Sequence, residues 1–261
     1  MISGLLESIR SARVFDLEQP RYAGAPMHPA HQPGFQYFLH RHHARGASEA
    51  RTGASGIVVM PEHSGTHIDA LAHQAENLTL HGGIHVDEGV QTSVGFKKLG
   101  IETMAPFVSR GVLLDVARER RLEPGHAITP QELERAAAVE VREGDVVLVR
   151  TGFGALWSDP EEYLRAAGVS AAASRWLIDK KVAAVGADNM AFDVMGAADA
   201  ELKVTLPGHV LLLVRAGIPI IENLNLEELA AAGVSEFVFV CLPLKMRGAT
   251  GSPVRPIALA P

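Results

Sequence analysis

The sequence predicts an α/β domain built on a mixed sheet, and three observations predict it. Short apolar runs recur along the chain, each bounded by turn residues. Segments with helix-capping signals fall between the later runs, as parallel pairing requires. The N-terminal half carries strand and loop signals but few helix signals, which points to a mixed sheet. The 261 residues show no repeat, low-complexity tract or linker, so one domain over 1–261 is expected.

Residues 17–55 are irregular and rich in Pro, Gly and His. A stretch of that length in a compact domain reads as a functional loop, here a lid over 28–45. The strands expected are GIVVM (56–60), GVLLDV (111–116), DVVLVR (145–150), VAAVGAD (182–188), IPIIEN (218–223) and EFVFVCLPL (236–244). Four helices are expected. The first has Thr129 as N-cap, Pro130 at the first position and Glu132 completing a capping box. The second starts at Ser170. The third, PGHVLLLVRAG, stops at Gly217, and the fourth runs from Asn225 to Gly233.

Composition removes several classes of function. The net charge is −6 with no Lys/Arg run, so no nucleic-acid partner is expected. Glu7 and Arg10 interrupt any signal-peptide core, and no apolar run is long enough to span a membrane. The single cysteine, Cys241, lies in an apolar strand, which fits a reducing compartment; a cytoplasmic protein is expected. There is no Walker loop and no serine in a G-x-S-x-G elbow.

The chemistry concentrates in PEHSGTHIDALAH, residues 61–73. Ser-Gly-Thr between His63 and His67 argues against a helix. The pattern reads instead as a turn at Gly65 and a short extended piece. Residues two apart on such a piece share a face, so His67 and Asp69 point together while Ile68 faces the core. The turn returns His63 beside them. Two imidazoles and a carboxylate make a site for Zn²⁺ or Mn²⁺, and His73 lies close enough to reach the same pocket. His209, at the start of the third helix, and Glu222, at the end of the next strand, fall at the same edge of an α/β layer and are expected to join the ligands.

The pattern His63, Gly65, Thr66, His67, Asp69, His73, with the later His209 and Glu222, resembles the cyclase family of metal-dependent hydrolases. That family contains kynurenine formamidases, isatin hydrolases and cyclic imide hydrolases. RVFDLEQP resembles its opening strand, VVLVRTGFG its central strand and glycine turn, and GSPVRPIAL its terminal strand. The resemblance implies a swivelling β/β/α fold, a homodimer or homotetramer, and hydrolysis of a C–N or C–O acyl bond. By residue-wise carry-over, His63, His67 and Asp69 hold a first metal. His209 and Glu222 join Asp69 around a second metal if two are bound, and His73 is the general base. Leu71 stands where many members have proline, and VGADNMAFD departs from the sequence associated with formamidases.

The reaction expected is opening of a cyclic amide, imide or lactone, or cleavage of an N-acyl group. Alternatives are an arylformamidase acting on N-formylkynurenine, a dehydratase or true cyclase, and a non-catalytic metal- or ligand-binding protein. Phe35, Phe38, Phe153 and Leu71 are expected to line an apolar pocket, with His85 touching substrate from a glycine-rich turn. No arginine stands in the metal motifs to clamp an anion. A small, neutral, ring-containing substrate is therefore expected.

Overall fold

In the computed structural model, which describes residues 2–43, 45, 48–196 and 198–261, helix α1 (Ile2–Ser11) precedes the first strand and was not foreseen from the sequence. The strands of three or more residues are β1 (Arg13–Asp16), β2 (Gln36–Arg41), β3 (Ser55–Val59), β4 (His67–Asp69), β5 (Phe107–Asp115), β6 (Val146–Arg150), β7 (Ala184–Ala187), β8 (Ile220–Glu222), β9 (Glu236–Cys241), β10 (Gly251–Pro253) and β11 (Ile257–Ala260). Nine of them form one mixed sheet in the order β1-β11-β9-β5-β6-β7-β8-β4-β10. The four central strands β5, β6, β7 and β8 run parallel. All pairings on either side of them are antiparallel. The chain is thus a single mixed α/β domain, as expected.

The central strands read as continuous apolar runs because both of their faces are buried. Successive residues alternate between two cores. Leu113, Leu148 and Ile221 enter one, with Phe15, Ile68 and Phe239. Val112, Leu114, Val147, Val149 and Ile220 enter the other. Helices cover that second face, contributing Leu133 from α2 (Pro130–Ala136) and Leu177 from α3 (Ala171–Asp179). The capping box at α2 forms as expected: Thr129 Oγ1 accepts from the Glu132 amide while Glu132 accepts from the Thr129 amide.

The third expected helix is irregular. It begins α-helical over Pro207–His209 (α4) and continues as π-helix over Val210–Ala216, ending at Gly217 in the left-handed region. The fourth, α5 (Glu227–Ala231), starts two residues later than expected. Among the described residues no helix is long and apolar enough to cross a membrane. The hairpin β2–β3 stands outside the main sheet. The expected strand GIVVM is therefore present, but every residue of β3 is exposed.

Candidate active site

The site lies at the C-terminal end of β8, where an open α/β sheet presents its crevice. Strand β4 pairs antiparallel with β8, and the register sets His67 opposite Glu222 and Ile68 opposite Ile221. Cross-strand partners share a face. Ile68 and Ile221 therefore meet in the core, while His67 Nε2 lies 3.4 Å from Glu222 Oε2 on the other side. Asp69, two residues along β4, returns to the His67 face with its Oδ1 3.6 Å from His67 Nε2. Gly65 takes the turn at φ +62°, and His63 comes back to within 2.8 Å of Asp69 Oδ1. On β10, Gly251 leaves room for that ring: a Cβ there would sit 2.7 Å from His63 Cε1.

His209 arrives on the first turn of α4. Its Nε2 lies 3.6 Å from Asp69 Oδ2 and 3.2 Å from Glu222 Oε1. The two Asp69 oxygens thus face different neighbours, Oδ1 towards His63 and His67 and Oδ2 towards His209. His73 joins from beyond β4, its ring centre 4.0 Å from that of His63 and 6.1 Å from that of His209. Five of the six expected ligand and base residues line one cavity of about 140 Å³, and Asp69 lies against His63, His67 and His209 behind them. Its walls are His28, Ala30 and His31 from the N-terminal segment, then Gln74, Met190, Ala191 and Leu206.

Partners behind the ring nitrogens fix which face of each imidazole is available. His67 Nδ1 is 2.8 Å from the Gly65 carbonyl, and His209 Nδ1 is 2.8 Å from Asp193 Oδ2. Each Nδ1–H donates outward, which makes Nε2 the nitrogen that faces the pocket. A buried network holds the turn itself. Thr66 Oγ1 accepts from the Gln19 amide and donates to the Asn223 carbonyl, and Asn223 Nδ2 donates to the Gly65 carbonyl. Arg21 donates to the Ser64 and Thr66 carbonyls. Gln19, Arg21, Asp193 and Asn223 were not singled out from the sequence. Their roles depend on contacts across as many as 205 positions, which no local pattern encodes.

Electrostatics favour a cation here. Burial pushes Asp69 upward, but His73 and His63 outweigh it and hold the carboxyl well below the usual carboxylate range. Burial raises Glu222 to about 7 and lowers both His67 and His73 to about 3. His209 is held well above its usual range, because Asp193 and Glu222 outweigh its burial. His63 Nδ1, both Asp69 oxygens and Glu222 Oε1 are buried with no hydrogen-bond partner. The 2.8 Å approach of His63 to Asp69 is a close contact out of hydrogen-bond line. Each such orphan costs about 1–3 kcal/mol. His63, His67 and Asp69 each offer a ligand atom within 4.8 Å of the others, as do Asp69, His73 and His209, so the donor set fits a metal.

The expected substrate wall is different from the observed one. Phe38 projects from the exposed hairpin and Phe35 lines a separate groove with Met27 and Pro33, so neither reaches the cavity. Phe153 is swallowed by a cluster with Trp157 and Tyr163 after Gly152 turns the chain at φ +82°. Leu71 packs against the helix-covered core, and His85 is exposed on a short strand, Ile84–His85. His81 braces the helix that carries His209, its Nδ1 3.0 Å from the Val214 carbonyl. Of the expected lid 28–45, residues 28, 30 and 31 line the cavity, 36–41 form the outlying strand β2, and 44 lies outside the described residues.

A mixed α/β fold that buries three imidazoles and two carboxylates around unpartnered oxygens, with a fourth imidazole half-buried beside them, is that of a metal-dependent hydrolase. The Cyclase family profile matches residues 15–194, and the chain belongs to that family. It is 27% identical over 213 residues to isatin hydrolase of Roseibium aggregatum, covering 78% of this chain and 74% of that protein. A crystal structure described as a novel cyclase superimposes with TM-score 0.86 at 30% identity, covering 98% of this chain and 89% of that one. Isatin hydrolase A of Ralstonia solanacearum shares the fold with TM-score 0.76 at 24% identity, over 100% and 97% of the two chains.

Proposed function

We propose that the chain opens a small, neutral cyclic amide, imide or lactone, or cleaves an N-acyl group, with one or two Zn²⁺ or Mn²⁺ ions per chain. The observation that carries this reading is the division of Asp69. Its Oδ1 faces His63 and His67, its Oδ2 faces His209 beside Glu222, and neither oxygen has a partner of its own. His63, His67 and Asp69 would hold one ion, and Asp69, His209 and Glu222 a second. A bound ion would polarise the scissile carbonyl and acidify water. Held at about 3 by burial, His73 presents a neutral ring at pH 7. It accepts the proton of the attacking water on a ring nitrogen and returns it to the leaving nitrogen or oxygen.

The cavity supports a neutral substrate, since among the described residues no Lys or Arg lines it and Met190, Ala191 and Leu206 offer an apolar wall. A volume of about 140 Å³ suits a single ring or a fused pair. The likeness to isatin hydrolase, whose name denotes a cyclic amide substrate, favours ring opening over deformylation. Metal analysis with a screen of cyclic amides, imides, lactones and formamides tests the reading. Turnover confined to N-formylkynurenine would make the chain an arylformamidase. Metal binding without turnover of any of them would support the binding-protein alternative.

We also infer a homodimer or homotetramer in the cytoplasm. The support is the exposed apolar hairpin and the single buried thiol of Cys241.

A further inference from the structure

We infer a second kind of cation site at the mouth of the pocket, made by His31, His63 and His73, whose occupation by excess divalent metal blocks catalysis. This inference rests on His73 acting as the base in the proposed reaction.

His31 is the one imidazole of the three that comes from the N-terminal segment. Its ring lies over that of His63, with centres 4.8 Å apart and planes inclined by 23°. His73 lies 4.0 Å from His63 and 5.9 Å from His31, centre to centre. One nitrogen from each ring falls within 4.8 Å of the others. Tetrahedral zinc with bonds of about 2.0–2.1 Å needs its nitrogens about 3.3 Å apart, so the rings must close by roughly 1–1.5 Å. His31 can supply that movement. It ends a three-residue turn, Pro29–His31, that buries none of its side chains. Three imidazoles with an open fourth position form a recurrent zinc set.

This set contains no carboxylate, unlike the inner ligands, so it binds a dication more weakly and fills at higher metal concentration. Filling it has two consequences. The lone pair of His73 is taken up, so the base no longer accepts a proton. The turn 29–31 is also pinned across the cavity, so substrate and outer ion exclude each other.

The test uses Co²⁺ as the probe. Chelated full-length protein is titrated with Co²⁺ and followed by equilibrium dialysis and by visible absorption. Wild type should show a tight phase and a later, weaker one of one ion per chain. His31→Ala should keep the tight phase and lose the weaker one, and His31→Asp, which restores a ligand, should recover it. His67→Ala should lose the tight phase. In the enzyme assay, inhibition by excess Zn²⁺ should compete with substrate, and His31→Ala should raise the inhibitory concentration at least about tenfold. Identical weak phases in wild type and His31→Ala would overturn the outer site and leave the inner one standing. No Co²⁺ uptake by wild type would overturn both.

Discussion

Around Asp69 polar side chains are buried: His63, His67, Asp69, His209 and Glu222 are each at most 5% exposed. On the β2–β3 hairpin apolar side chains are exposed: Tyr37 is 54% exposed, Phe38 53% and Val58 51%. Each region reverses the usual partition of residues, and each has a deficit that the chain alone does not fill. The pocket lacks partners for its lone pairs, and the hairpin lacks a layer over its apolar faces. A cation would meet the first need, and in the proposed oligomer a second copy of the chain would meet the second. Changes in the pocket should therefore act on metal and turnover, and changes on the hairpin on assembly.

The largest effect should come from emptying the pocket. His67→Ala removes the imidazole that the Gly65 carbonyl orients. Most of the metal should be lost from elemental analysis, and turnover should fall by about 10⁴-fold, the several kcal/mol that a Lewis-acid ion contributes. Full metal retention would remove His67 from the ligand set. Next, His73→Ala should keep the metal and lose about 10²–10⁴-fold in kcat. Metal loss in proportion to activity would make His73 a ligand instead of the base.

The same contrast explains what could be read in advance. The pocket floor was legible because period-2 alternation in HID is enough to set His67 and Asp69 together and Ile68 apart. The central strands were legible because burial on both faces leaves an uninterrupted apolar run. The hairpin has the same local signature, and nothing in YFL or GIVV says whether another layer covers it. Phe38 therefore read as pocket wall when it stands in the open, and Phe153 read likewise when it is core. The true walls, Gln74, Met190, Ala191 and Leu206, come from loops whose meeting is a tertiary event. The orienting Asp193 is 16 residues from His209 and had no periodic signal.

Smaller effects sharpen each side. Asp193→Asn keeps the shape behind His209 and removes the charge, so metal affinity should drop about 10–100-fold with the fold intact. An unchanged dissociation constant would mean that the α4 backbone alone sets the ring. On the hairpin, Phe38→Ser forfeits about 1.5–3 kcal/mol of burial if a second copy covers it. Sedimentation should then show a dimer dissociating at roughly 10–100-fold higher concentration, with metal content unchanged. A monomeric wild type would leave the patch without that occupant.

The smallest effect concerns a buried carboxylate that the chain does satisfy. Asp188 accepts from the Thr151 amide and hydroxyl, each at 2.7 Å, and from the Gly152 amide at 2.9 Å. It is a control for Asp69, equally buried but partnered. Burial pushes it from 3.8 up to about 6, outweighing those bonds, with Glu227 adding to the rise. A folded-state pKa above the unfolded one stabilises the protein below the unfolded value and loses that contribution as pH rises through the folded value. Between pH 4 and 7, wild type should therefore lose stability relative to Asp188→Asn by an amount of order 3 kcal/mol at most, at about 1.36 kcal/mol per unit. Both proteins should be chelated first, so that metal release from the pocket does not enter. Chemical denaturation at several pH values measures the difference. If the wild-type advantage grows with pH, these donors, with the Gly154 amide at 3.4 Å, outweigh burial. Asp188 would then be ionised throughout, and the contrast with Asp69 would rest on partners alone.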